Sequence, residues 1–299
     1  MKVEHHVESS KPVTLRKVLD GVEIFIIHTA GIEVAVVPVL GAKVLSLKNC
    51  RTGREWMYHR DSSLKLFANK LGDDFSKSTV AGWDECLPTI APCDWKNRTL
   101  PDHGEVWSAP WELDAAEWER GVIKTSVLLS VSPFHFSRTI ELRNNALVVN
   151  YCLLNLSGSP QEFLWAMHPL LAIQKGDQLV LTEETRKYLR NEPWIDALDF
   201  EGQPASCAKV FAGPLQEGLV GVVNTISGDR LSLTWDTFEC ATLGVWLTRG
   251  GWNGHHHLAL EPTNGAPDAL SVAAGESKRC GLVSAHGEKR WKVQIQVKP

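Results

Sequence analysis

The stretch from His135 to Leu156 reads HFSRTIELRNNALVVNYCLLNL. Two arms of strand character, His135 to Leu142 and Ala146 to Leu156, flank the pair Asn144-Asn145. Asn tolerates positive φ, so such a pair between strand-like arms is a hairpin signal with a mechanism. The second arm runs into Ser157-Gly158-Ser159-Pro160, a further turn. Upstream, Val122 to Val131 has the same character, and Val22 to His28, Ile32 to Val39 and Lys43 to Lys48 form an opening meander with Gly31 and Gly41 at the bends. Downstream, strands are expected at 209–211, 219–224, 230–235, 241–247, 258–261, 278–284 and 291–297. Alternation or short apolar runs, broken by turn residues about every ten positions, predict an all-β chain built as a large antiparallel β-sandwich. Helical periodicity is scarce, with Thr182 to Leu189 and Leu64 to Lys70 its candidates.

The segment Ala81 to Trp111 departs from this rhythm. It is rich in Trp, Pro, Asp and His and poor in periodicity; a structureless loop of that length inside a compact domain is usually functional or disordered, and the aromatic content argues against disorder. No linker, low-complexity tract or solenoid repeat interrupts the chain, so one domain over residues 1–299 is the economical reading.

Composition narrows the partners. The 299 residues carry 31 Lys+Arg against 35 Asp+Glu, a net charge of −4 with both signs interspersed, which offers no basic footprint for nucleic acid. The apolar runs fall short of the ~20 residues of a spanning helix, and the start MKVEHHVESSKP lacks the apolar stretch of an export signal. A soluble cytoplasmic protein, monomer or homodimer, is expected. The seven cysteines are an odd count without a Cys-x-x-Cys, which points to buried free thiols rather than a disulfide framework or a zinc cage. Twelve tryptophans against three tyrosines stand out, because a flat ring with a polar edge suits sugar faces as well as cores.

Three segments place ionisable side chains in apolar settings. They are Gly82-Trp83-Asp84-Glu85-Cys86 with the later Asp102-His103-Gly104, then Trp165-Ala166-Met167-His168-Pro169, and Leu258-Ala259-Leu260-Glu261-Pro262. Residues two apart on a strand share a face, so His168 lies opposite in direction to Trp165, and Glu261 shares a face with His257 and Ala259. Each of the two strands is expected to end at its proline, aiming His168 and Glu261 into one cleft. A buried carboxylate without partners is costly, which makes Glu261 hard to read as packing alone. Asp84 and Glu85 either cap a turn or bind a ligand. Consecutive histidines 255–257 lack the spacing of a metal-ligand set, and no Gly-x-Gly-x-x-Gly, Walker A or Gly-x-Ser-x-Gly motif is present, so neither metal nor cofactor is expected.

The order of these segments resembles the aldose 1-epimerase (galactose mutarotase-like) family. The likeness rests on the run Val37 to Leu47, the His103-Gly104 pair with Trp111 after it, the strand carrying His168, and Leu260-Glu261-Pro262 followed by Ala274-Gly275-Glu276-Ser277. It implies a β-supersandwich with a sugar cleft, in which Glu261 removes the proton of the anomeric hydroxyl, His168 donates to the ring oxygen and His103 holds the sugar. Trp246 matches a late aromatic position and is the stacking candidate. One departure concerns an Arg that many relatives carry before the His-Gly pair: here the chain has Ala68-Asn69-Lys70, and Lys is not an equivalent fork donor. With Asp84 and Glu85 taken as further sugar ligands, the acidic pair argues for a neutral sugar over its phosphate. The implied activity is anomer interconversion by acid/base ring opening, with a non-catalytic sugar-binding protein or a metal-dependent isomerase or lyase as the alternatives.

Overall fold

In the structure, a computed structural model, residues 12–60, 64–143, 146–196, 198, 204–275 and 278–299 are described. Among them, nine strands form one antiparallel sheet in the order Val13–Leu19, Val22–His28, Ile32–Val37, Lys43–Asn49, Trp83–Cys86, Ala166–Leu171, His256–Thr263, Thr242–Arg249 and Ser206–Ala212. Eight strands form a second: Asp177–Leu181, Gly218–Asn224, Arg230–Trp235, Glu288–Lys298, Ala146–Asn155, Phe134–Arg143, Ile123–Leu128 and Glu112–Leu113. The all-β sandwich is therefore confirmed. The hairpin arms pair along their full length, from Phe134 with Asn155 to Arg143 with Ala146, while the Asn144-Asn145 turn itself lies outside the described residues.

Alternation explains the layering. On Phe134–Arg143 the residues Phe134, Phe136, Arg138, Ile140 and Leu142 are buried and their neighbours are not, as expected of a strand with one face on a core. The shared core combines Val34, Leu47, Trp83, Met167, Val245 and Leu260 of the first sheet with Phe136, Tyr151, Trp291, Val293 and Ile295 of the second. The strands at the centre of the nine-stranded sheet are buried on both faces: all six residues of Ala166–Leu171 and all but the first of His256–Thr263 are covered. Loops close over the outer face of this sheet, and the candidate site lies beneath them.

Several expectations are corrected. The 81–111 segment is not structureless: it contains Trp83–Cys86, a central strand of the sheet, and the small hairpin Cys93–Trp95 with Arg98–Leu100. Thr182 caps a helix over Glu183–Leu189, its hydroxyl accepting from the Thr185 N–H, whereas Leu64 to Lys70 is not helical. The two prolines do not end their strands. Pro169 sits within Ala166–Leu171, and Pro262 within His256–Thr263, paired with Leu243. All seven cysteines are unpaired, but only Cys86 and Cys240 are buried; Cys50 and Cys207 are exposed.

Candidate active site

Cross-strand register assembles the site. Asp84 stands opposite His168, and the pairing of Ala166 with Thr263 and of Leu170 with Ala259 sets His168 opposite Glu261 on the next strand. Directly opposed residues share a face and approach closely. The result is an adjacent imidazole and carboxylate, Nε2 of His168 lying 3.6 Å from Oε1 of Glu261, both fully buried. On the following strand Glu261 faces Gly244, and Trp246, two pairs further along, covers the same face.

His103 arrives from the other side. It adopts a positive φ of 58° and precedes Gly104 at 73°. A side chain on Gly104 would run into the Leu87 carbonyl at 2.1 Å, so only glycine permits this turn against the Trp83–Cys86 strand. The turn lays the His103 ring on Phe75, 3.9 Å between centroids and nearly parallel, and sets it edge to face with His168 at 5.0 Å. Asp102 Oδ2 lies 3.1 Å from His103 Nδ1.

Above these groups is a cavity of about 320 Å³, lined among others by His103, His168, Lys209, Trp246, Trp252 and Asp268. That is the lower end of the size range of small-molecule sites. Glu261 lies just behind this lining. A larger cavity of about 580 Å³ between Asn69–Leu71 and the Val127–Ser130 edge has one buried carboxylate, Glu105, whose oxygens already accept from the backbone N–H groups of Val131 and Ser132. Lys70 belongs to this cavity rather than to the His168 cleft.

Electrostatics set the protonation states. Burial holds the His168 pKa well below 6.5, and the nearby ammonium groups of Lys209 and Lys43 push the same way, so the imidazole is neutral at neutral pH. Burial raises the Glu261 carboxyl, and Lys209 pulls it back. For Lys209, burial works downward, but the Glu261 and Asp268 carboxylates outweigh it and hold the ammonium charged.

Of the residues read from sequence, His103, His168, Glu261 and Trp246 converge. The Trp246 ring lies 5.5 Å from that of His168. Glu85 does not join them. Neighbours on a strand face opposite ways, so Asp84 looks toward the cleft side and Glu85 into the core. There Glu85 Oε1 accepts from Trp83 Nε1, Arg138 and Tyr151, and Oε2 from Trp165 Nε1. Asp84 is on the right face but wholly covered and ion-paired with Lys43, which removes it from direct contact with a ligand in the cavity. The argument for a neutral sugar from this acidic pair therefore falls. Trp83 and Trp111 are core residues; Trp107 packs edge-on behind Phe75. Trp165 does point away from His168. His257 turns to the cleft side against Trp246, while His255 meets the Tyr58 hydroxyl at 3.1 Å. Among the described residues no cluster of three or more His, Cys, Asp or Glu is arranged to hold a metal, and no helix is long and apolar enough to cross a membrane.

Lys209, Asp268, Trp252 and Phe75 were not singled out from sequence. A lysine opening the apolar run Val210-Phe211-Ala212 was the available signal for the first.

The fold is that of galactose mutarotase-like proteins. Similar solved structures include a candidate aldose 1-epimerase from Klebsiella pneumoniae (TM-score 0.74, 16% identity, 95% of this chain and 83% of that one) and a galactose mutarotase-like protein from Clostridium acetobutylicum (0.70, 13%, 96% and 99%). The Slr1438 protein from Synechocystis is also similar (0.66, 16%, 96% of both chains). No family model matches the chain and no curated protein matches it by sequence.

Proposed function

We propose that this chain is an isomerase of carbohydrate metabolism, an aldose 1-epimerase that interconverts the anomers of a free sugar without a cofactor. The observation that carries the reading is the opposed pair His168 and Glu261, 3.6 Å apart, with His168 lining a cavity walled by His103 and Trp246 and Glu261 just behind it. Glu261 takes the proton of the O1 hydroxyl; C1=O1 forms as C1–O5 breaks. The ring oxygen, hydrogen-bonded by neutral His168, receives a proton, and the closeness of the two side chains lets the proton collected at O1 be the one delivered to O5. Rotation about C1–C2 and reclosure by the reverse steps give the other anomer. A base raised toward neutrality by burial and a neutral imidazole acting as hydrogen-bond donor are both suited to such transfers. The cavity wall carries Asp74, Asp102 and Asp268, while its Lys209 is already paired, so an uncharged sugar fits better than a sugar phosphate.

NMR saturation exchange between α and β anomers, across a panel of free hexoses and pentoses, tests the proposal. At least one sugar should exchange faster with the protein than without it; a panel with no acceleration would overturn it. A second reading, a sugar-binding protein without turnover, is favoured by one contact: Lys209 occupies Oε2 of Glu261 at 2.9 Å. Saturable binding with uncatalysed exchange rates would select that reading.

A further inference from the structure

We propose that Lys209, held by Asp268, is a positioning residue for Glu261: its ammonium keeps the carboxylate ionised and turned toward the place of the anomeric hydroxyl. The inference rests on the reaction proposed above. Lys209 sits at the middle of the edge strand Ser206–Ala212, opposite Trp246, and Glu261 lies two strands further in. The lysine crosses the intervening strand where Gly244 stands opposite Glu261. A Cβ at Gly244 would press on Glu261 Oε2 at 3.1 Å and on the Phe211 ring at 3.3 Å, so the glycine leaves room for the carboxylate that Lys209 reaches. Lys209 Nζ then reaches Oε2 of Glu261 and Oδ1 of Asp268, each at 2.9 Å. Its side chain is 22% exposed and lines the cavity, whereas Glu261 is fully covered.

Charge bookkeeping across the sheet gives Lys209 its importance. Around Glu261 stand His168, Asp84 and Cys86 from the strands on one side, Lys43 beyond them, His257 on its own strand, and His103 and Asp268 from the covering loops. Lys43 is committed to Asp84, and His168 and His257 are held neutral. Lys209 is thus the charged cation that touches Glu261. Removing it leaves a buried carboxyl beside the carboxylate of Asp268, and such a group takes up a proton. Asp268 acts in the opposite sense, since its own charge raises the Glu261 pKa. A sugar whose O1 hydroxyl takes the place of the ammonium on Oε2 would find the base already deprotonated. Asp268 then keeps the displaced lysine beside it.

The test reads the carboxyl directly. Protein carrying ¹³C-labelled glutamate, free of sugar, is titrated by difference infrared spectroscopy, with Glu261→Gln as the blank that identifies the Glu261 band. Lys209→Met should move the midpoint upward by at least one pH unit, and Asp268→Asn should move it downward. Lys209→Arg should restore a midpoint near wild type. Midpoints unchanged in both Lys209→Met and Asp268→Asn would overturn the proposal, and the opposite signs of the two shifts separate it from general disturbance of the site. On a sugar that the wild-type protein turns over, Lys209→Met should lower kcat at pH 7 at least tenfold with a smaller change in KM and shift the acidic limb of the pH profile with the midpoint. The infrared result stands without turnover, so failure of the enzymatic reading and failure of this one are distinguishable.

Discussion

Glu85 and Glu261 are both fully buried carboxylates on central strands of the same sheet, yet they face opposite sides of it and have opposite surroundings. Glu85 sits between the sheets, where Arg138, Tyr151, Trp83 and Trp165 saturate its two oxygens. Arg138 belongs to the second sheet, so the ion pair ties the two layers together, and its guanidinium also lies over the rings of Trp83 and Trp111. Glu261 looks outward. Among the described residues it has the imidazole of His168 at Oε1 and the ammonium of Lys209 at Oε2, with no backbone N–H donating to either oxygen. Burial raises the pKa of both groups. Burial and pKa direction therefore do not distinguish the core carboxylate from the proposed base. The saturation of the oxygens does, because free lone pairs beside a cavity can take a proton from something that enters it.

The largest expected effect breaks the saturated member. Glu85→Ala strands Arg138 in the core, and removal of one partner of a buried pair costs about 3–5 kcal/mol. Urea denaturation should show a loss of that order or no cooperative transition. Glu261→Gln should behave differently: stability by the same assay equal to or above wild type, and sugar anomer exchange lowered about 10²–10⁴-fold, the usual contribution of a general base. Equal destabilisation by Glu85→Gln and Glu261→Gln would remove the distinction between the two carboxylates.

The sandwich was legible because alternation on strands such as Phe134–Arg143 is a local signal, written in ten consecutive residues. Trp83–Cys86 escaped notice for the converse reason. All four of its residues are buried, so no polar and apolar alternation marks it, and taken as loop residues Asp84 and Glu85 could both be assigned to a sugar. Their adjacency on a strand is what separates them. His168 and Glu261 were recognisable as ionisable groups in apolar runs, but their apposition depends on a register between segments more than ninety residues apart, which no local pattern encodes. Lys209 was hidden still more deeply. Its contact with Glu261 crosses an intervening strand, on which glycine stands opposite Glu261.

The outward face should also carry acid sensitivity of a kind the core network lacks. Burial pushes His257 down to about 3, and among the described residues neither ring nitrogen has a hydrogen-bond partner. An unfolded histidine titrates near 6.5, so between about pH 6.5 and pH 3 the unfolded chain binds the extra proton. The stabilising contribution is complete above pH 6.5 and is lost as pH falls, by about 2 kcal/mol between pH 7 and pH 5 at this site. Glu261 contributes in the opposite direction over part of this range, so the comparison is wild type against His257→Leu. The difference in unfolding free energy between the two should shift by that amount in favour of the variant from pH 7 to pH 5. A difference independent of pH would show that His257 is solvated or partnered in solution.

The smallest effect probes how far the Glu85 network is over-determined. The Tyr151 hydroxyl donates to Glu85 Oε1 at 3.0 Å, while Arg138 and Trp83 donate to the same oxygen at 2.9 and 3.0 Å. Tyr151→Phe keeps the ring, which stacks on Phe136 and Trp291, and removes the hydroxyl alone. With two donors remaining on that oxygen and Trp165 on the other, the carboxylate is not left unpaired, so the cost should be that of one hydrogen bond to a charged group, about 1.5 kcal/mol, rather than the penalty of a buried orphan. Sugar anomer exchange should be unchanged, because Tyr151 and Glu261 lie on opposite sides of the nine-stranded sheet. A loss near that of Glu85→Ala would mean that the network stands or falls as a unit. A fall in exchange at unchanged stability would mean that the core side of the sheet communicates with the cleft.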